Sequence, residues 1–259
     1  MRALFFSPHP DDSAIGVGGI IAKLTKKGWQ AGYVYTTDGR HGSDTLSPEE
    51  TLKVRALEAK AERDIFGIKE HWSLEIEDGT LSKLNDFGQK EAVSRIEEII
   101  LKFRPDVVFI PSYSDRHSDH RSTHDLVMKA LSKKGKDVLV VKYQVWFFPD
   151  FYEKRQDPCE KIMLVGIDDE LEKKHEAIRV HKSQLERVEY DEASKHINAY
   201  FSRIFKACKD DGVCHAEIIG IFNRNEKNRK NEEKLIKDLG YTRDISKIFH
   251  GRAERKIES

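Results

Sequence analysis

Cysteine is scarce in this chain. Cys159, Cys208 and Cys214 are the only three in 259 residues, an odd number without Cys-x-x-Cys spacing. Neither a disulfide framework nor a thiolate zinc site is therefore expected. Charge of one sign is lacking as well, since Lys+Arg and Asp+Glu number 45 each. A nucleic-acid partner needs a basic excess or stripe to neutralise phosphates, so none is expected. No apolar run approaches the ~20 residues that a membrane-spanning helix requires. Met1-Arg2-Ala3-Leu4-Phe5-Phe6 runs straight into a polar turn without a signal-peptide pattern, and the expected address is the cytoplasm. Repeats, low-complexity tracts and Pro/Gly/Ser-rich linkers are also missing. The organisation expected is one domain over residues 1–222 and a charged, partly helical extension over 223–259.

Strand and helix patterns alternate instead, which is the mark of a parallel sheet covered by helices on both faces. Residues 3–7 read as a first strand and 14–27 as a helix closed by Gly28. A second strand follows at 32–37. The next helix, 48–66, has Pro48 suited to its first turn and Gly67 to its stop. A short strand at 70–74 and an amphipathic helix at 87–103 lead to Pro105 and a fourth strand, 106–110, apolar throughout as a strand buried on both faces should be. Beyond it come a helix at 122–133, strands at 138–146 and 161–167, helices at 169–184 and 193–209, and a last strand at 216–222. A weak helix is expected around 232–239, and Ile248-Phe249-His250 offers a small apolar docking point. The fold class is α/β, a Rossmann-like doubly wound, mostly parallel sheet.

Two polar clusters stand directly after apolar strands. Pro8-His9-Pro10-Asp11-Asp12 follows the first strand, and His117-Ser118-Asp119-His120 follows the fourth. In a right-handed doubly wound sheet those two strands lie side by side where the winding reverses, and the loops leaving them open a crevice. The clusters should therefore face each other. Alone, Asp12-Ser13 is an ordinary helix N-cap pair, and a His-x-Asp-His run after a strand is unremarkable. Together they supply what a hydrolytic zinc site wants, three N/O ligands with an open position for water. His9, Asp12 and His120 give two imidazoles and a carboxylate, and ferrous iron suits them too. The metal would bring the pKa of bound water toward ~7, making it the nucleophile. Asp11 is placed to collect its proton as general base. His117 is left to face the substrate oxygen or leaving amine, with Asp119 fixing its tautomer.

These residues resemble the PIG-L/LmbE family of zinc-dependent N-acetylglucosaminide deacetylases. Ser7 to Gly19 is similar to the family's His-Pro-Asp-Asp-Glu segment and glycine-bearing helix, and Asp115-Arg116-His117-Ser118-Asp119-His120 to its His-Pro-Asp-His site. Thr37-Asp38-Gly39, Arg55 with Glu58, Glu77-Asp78-Gly79-Thr80-Leu81, the stretch from Lys174 to Gln184, and His215-Ala216-Glu217 match further segments. Ser13 stands where the family has Glu, and Ser118 where it has Pro. The resemblance implies an LmbE-like fold, zinc on His9, Asp12 and His120, catalysis by Asp11, His117 and Asp119, and Arg55 near the sugar pocket. It gives His181 a supporting place and implies a homo-oligomer, trimer or hexamer. The substrate implied is an N-acetylglucosaminide. Ser13 and the 177–184 segment look most like chitin-disaccharide deacetylases, whereas Asp115-Arg116-His117 looks more like the bacillithiol-pathway enzymes.

Two other classes compete with a deacetylase. Gly16-x-Gly18 opens a helix after the first strand and Asp38 lies roughly 20 residues on, as in a dinucleotide-binding protein. Ile21 occupies the third glycine position, however, and a polar insert replaces the tight turn. The glycines are better read as letting the helix pack closely on the sheet. A catalytically silent sugar-binding homologue is the other class, distinguished by tight binding without turnover.

Overall fold

The computed structural model describes residues 1–134, 137–146, 161–222 and 225–247. Cys159 and the expected docking point at Ile248-Phe249-His250 lie outside them. Eight strands form one sheet: β1 (Arg2–Ser7), β2 (Gln30–Thr37), β3 (Glu70–Ile76), β4 (Val107–Pro111), β5 (Leu139–Tyr143), β6 (Lys161–Gly166), β7 (Ala216–Phe222) and β8 (Thr242–Asp244). Their spatial order is β3-β2-β1-β4-β5-β7-β6-β8. The first five are parallel, with Ala3 beside Val107 across β1 and β4. β7 then runs antiparallel between β5 and β6, and β8 closes that side antiparallel to β6.

Side chains alternate across a strand, so each central strand feeds two cores. Phe5, Phe109 and Val141 point to one face, where α1 (Asp12–Lys26), α2 (Pro48–Phe66), α5 (Leu171–Arg179) and α9 (Glu226–Leu239) contribute Ile20, Phe66, Ile178 and Leu235. Leu4, Phe6, Val108 and Val140 point to the other, covered by α3 (Asp86–Phe103) and α4 (Ser118–Lys134) through Ile96, Ile100, Val127 and Leu131. A doubly wound α/β sheet is the result. α9 is charge-dense on its outer face, yet Leu235 and Leu239 are buried in the first core.

Local signals act as their chemistry dictates around α2. Ser47 and Glu50 form a capping box, Pro48 occupies the first turn, and Gly67 (φ 72°) ends the helix in the left-handed region. Elsewhere the structure departs from expectation. The helix expected over 169–184 is a 3-10 turn (Asp168–Glu170), then α5, then a short α6 (Lys182–Leu185), because His181 leaves helical geometry at φ −82°, ψ 58°. The next expected helix divides into α7 (Tyr190–Ile204) and α8 (Ala207–Asp211), separated by Lys206 at φ 59°. α4 starts four residues earlier than expected, so Asp119 and His120 sit on its first turn.

α1 is kinked. Val17 adopts φ −141°, ψ 25°, which takes the N–H groups of Gly19 and Ile20 out of the helical ladder. Both donate to the buried Glu217 carboxylate, each at 2.9 Å, and Lys174 Nζ donates to the same group at 2.8 Å. A Cβ on Gly16 would stand 2.6 Å from the Tyr143 ring, and one on Gly19 2.6 Å from Ile167 Cγ2. Close packing of helix on sheet is thus what these glycines serve.

Candidate active site

β1 and β4 are neighbours, and the segments leaving their carboxyl ends carry the two clusters to one crevice. His9 lies between β1 and α1; His117, Asp119 and His120 lie at the entry to α4. The ring centroids of His9 and His117 are 4.8 Å apart, those of His117 and His120 also 4.8 Å, and those of His9 and His120 5.4 Å. One nitrogen from each of the three rings can meet at a single ion. Asp12 does not cap α1. Its Oδ2 accepts the His9 backbone N–H at 2.7 Å and lies 3.0 Å from His9 Nδ1 and 3.2 Å from His120 Nε2. One carboxylate oxygen therefore bridges the two imidazoles that the sequence pairs with it.

The electrostatics are those of a cation site. Five carboxylates (Asp11, Asp12, Asp78, Asp115 and Asp119) surround three imidazoles and the Arg55 guanidinium. Burial works against a charged ring, but Asp12, Asp119 and Asp78 outweigh it and raise the His9 pKa well above its ordinary value. Against the same opposition, Asp12 and Asp115 bring His120 to about 9. The two rings in turn hold Asp12 well below the usual carboxylate range despite its burial, and His9 helps to bring Asp78 to about 2. His117 goes the other way, lowered first by burial and then by the positive rings beside it. Positive charge is thus drawn to where a divalent ion would supply it. The donor set fits the ion as well. His120 has Nδ1 3.0 Å from Asp115 Oδ2 and Nε2 3.2 Å from Asp12 Oδ2, a carboxylate on either side of the ring, although the Asp115 contact lacks hydrogen-bond alignment. Buried Asp119 Oδ1 has no hydrogen-bond partner among the described residues.

Asp119 and His117 are linked through the backbone. The Asp119 backbone N–H donates to His117 Nδ1 at 3.3 Å, while its carboxylate accepts the Gly79 N–H at 2.8 Å and lies 3.5 Å from His9 Nε2. Accepting at Nδ1 leaves the proton of the neutral ring on Nε2. Arg55 is buried, and its Nη2 donates to Asp11 Oδ1 at 2.6 Å. It shares one face of α2 with Glu58 and Glu62, at helical spacing. Glu58 accepts from the Ser183 N–H (2.8 Å) and Oγ (2.7 Å), and Glu62 lies 2.8 Å from His181 Nε2. His181 thus braces α2 and takes no place among the metal-ligating groups.

His9, Asp11, Asp12, Arg55, His117 and His120 line a cavity of about 340 Å³, with His41, Trp146, Gln184, Arg187 and Tyr190 at its other walls. Sequence reasoning quoted Asp115 and Asp78 within matching segments but gave them no role, and it missed the Trp146–Tyr190 pair, whose ring centroids are 5.0 Å apart. Asp115 had a signal, since a ligating histidine needs a carboxylate behind it and Asp115 stands five residues before His120. The aromatic pair had none, because it joins distant segments.

A family model described as GlcNAc-PI de-N-acetylase (PIG-L) matches residues 4–131. A diacetylchitobiose deacetylase of Thermococcus kodakarensis is 31% identical over 196 residues, which is 71% of this chain and 70% of that protein. A probable N-acetyl-alpha-D-glucosaminyl L-malate deacetylase 2 of Bacillus cereus is 29% identical over 202 residues, 75% of this chain and 88% of its own. Among solved structures, the N,N'-diacetylchitobiose deacetylase of Pyrococcus horikoshii superposes with a TM-score of 0.66 at 25% identity, covering 85% of this chain and 83% of that one.

Proposed function

The chain belongs to the PIG-L family of GlcNAc de-N-acetylases, and on that premise we propose that it is a zinc-dependent hydrolase releasing acetate from an N-acetylglucosaminide. The observation that carries this reading is the convergence of His9, Asp12 and His120, with Asp11 held beside them by Arg55 at the wall of a cavity. His9, Asp12 and His120 would hold the ion, zinc or ferrous iron by donor chemistry. When bound, such an ion acidifies a water and polarises the acetamide carbonyl.

The protein's own groups do the rest. Arg55 occupies Oδ1 of Asp11 and leaves Oδ2 to take the proton of the attacking water. His117 presents Nε2–H toward the cavity as a neutral donor, kept neutral first by burial and then by the positive charge next to it, and stabilises the oxyanion of the tetrahedral intermediate. Asp119 fixes that ring through its backbone N–H. Asp11 then returns its proton to the departing nitrogen, so that the amide and one water become an amine and acetate. Trp146 and Tyr190 give the cavity an apolar wall on which a second sugar ring can lie, while Arg187 is engaged by Asp44 at 3.0 Å. This favours a disaccharide over a sugar carrying a dicarboxylate.

Acetate release from di-N-acetylchitobiose and from N-acetylglucosaminyl malate, by metal-loaded and chelator-stripped protein, tests the reading. Release that needs the metal and is faster with the disaccharide is expected. Equal release after stripping contradicts the metal role, and faster release from the malate conjugate contradicts the role given to the aromatic wall.

A further inference from the structure

Cys208, on α8, and Cys214, just before β7, lie together. Two left-handed residues, Lys206 (φ 59°) and Gly212 (φ 72°), flank α8 and turn the chain back on itself. The two sulfurs stand 3.3 Å apart, and both side chains are partly exposed. A disulfide has its sulfurs ~2.05 Å apart, so the bond requires these two to close by ~1.25 Å. We propose that Cys208 and Cys214 are a thiol–disulfide site, closing a bond that clips α8 to the start of β7 when a disulfide oxidant is present.

The chain on both sides is anchored by hydrogen bonds. The Cys214 N–H donates to Asp168 Oδ2 at 2.8 Å, and His215 Nδ1 lies 2.8 Å from Asp168 Oδ1. At the other end Asp211 accepts from the Tyr241 hydroxyl at 2.6 Å and pairs with the Arg243 guanidinium. Three residues past Cys214, Glu217 holds the kink of α1. The odd cysteine count argues against a disulfide framework, and a single local clip does not conflict with it.

Electrons and protons balance with a small disulfide such as oxidised glutathione. One protein thiolate attacks its S–S bond and expels one glutathione thiolate, leaving a mixed disulfide. The second protein thiolate attacks the protein sulfur of that bond, forms Cys208–Cys214 and expels the second glutathione. The two thiol protons go to the two glutathiones, which carry away the two electrons.

The full chain is incubated with oxidised glutathione, free thiols are alkylated, and tryptic peptides are mapped. Lys209 lies between the two cysteines, so peptides 207–209 and 210–224 stay together only if the bond has formed. Expected are loss of two of the three thiols and a joined peptide lighter by two hydrogens that separates on reduction. Reduction should also lower the thermal midpoint of the oxidised wild type and of oxidised Cys159→Ser, and leave that of Cys208→Ser unmoved. Recovery of both cysteines alkylated, of both carrying glutathione, or of either joined to Cys159 overturns the proposal. Peptide mapping of the wild type decides the matter even if a variant fails to fold.

Discussion

Asp11 has a buried guanidinium on one carboxylate oxygen and an open cavity beside it, an arrangement suited to a base and poorly suited to a metal ligand. Asp11→Asn keeps the shape and removes the proton acceptor. It should lower the rate of acetate release by ~10²–10⁴-fold, the usual contribution of a positioned general base. Metal content should not change. His117→Phe removes the Nε2–H donor and should cost about 10²–10³-fold in kcat, with a smaller change in KM, because the donor acts on charge that exists only in the transition state. An effect confined to KM would place His117 in substrate binding instead. At this scale the sequence was informative wherever chemistry demands a residue type at a fixed place after a strand: His9, Asp11, Asp12, His117, Asp119 and His120 all reach the crevice. It was silent on hydrogen-bond partners, and so did not say that the Asp119 backbone N–H is what meets His117.

At the scale of elements, the most exposed piece of the design is the junction of α1, α5 and β7. Lys174 and Glu217 form a fully buried pair, and Glu217 also satisfies two N–H groups freed by the kink. Burial lowers the Lys174 pKa, with Glu217 opposing it. Glu217→Ala strands a buried ammonium and two buried donors, so it should destabilise by ~3–5 kcal/mol. Urea unfolding with the slope unchanged would measure that loss; a change under ~1 kcal/mol would show that the pair contributes little. Gly19→Ala drives a methyl into Ile167 and should cost ~1–3 kcal/mol in the same assay. Elements were legible where local signals were strong, as with the capping box and Gly67 around α2, or the unbroken apolar run of β4. The break at His181 was not, because its long-range partner Glu62, with Glu58 on Ser183, holds that segment; the left-handed Lys206 that divides α7 from α8 carried no local signal either. β8, three residues long, carries too little periodicity to be read.

At the scale of the molecule, the placement of β1 beside β4 brings distant clusters together, and it followed from the handedness of parallel crossovers. The insertion of β7 between β5 and β6 did not follow, since no such rule orders antiparallel neighbours. The assembled cluster also gives the metal-free protein a distinctive pH response. The folded-state pKa of His120 is raised to about 9, so its stabilisation is complete below the unfolded value of ~6.5 and is lost as pH rises through 9. The thermal midpoint of chelator-treated protein should therefore fall between these limits. A divalent ion competes with the same protons, so its affinity should rise over that interval and its binding should release protons. A midpoint that rises with pH in the absence of metal would refute this picture of the empty cluster.

The most direct test of the account is metal content and acetate release from di-N-acetylchitobiose, measured side by side on wild type and Asp11→Asn. One zinc per chain is expected in both proteins, with acetate release ~10²–10⁴-fold slower in Asp11→Asn than in the wild type. Undiminished release by Asp11→Asn, or wild type that binds no metal, would contradict it.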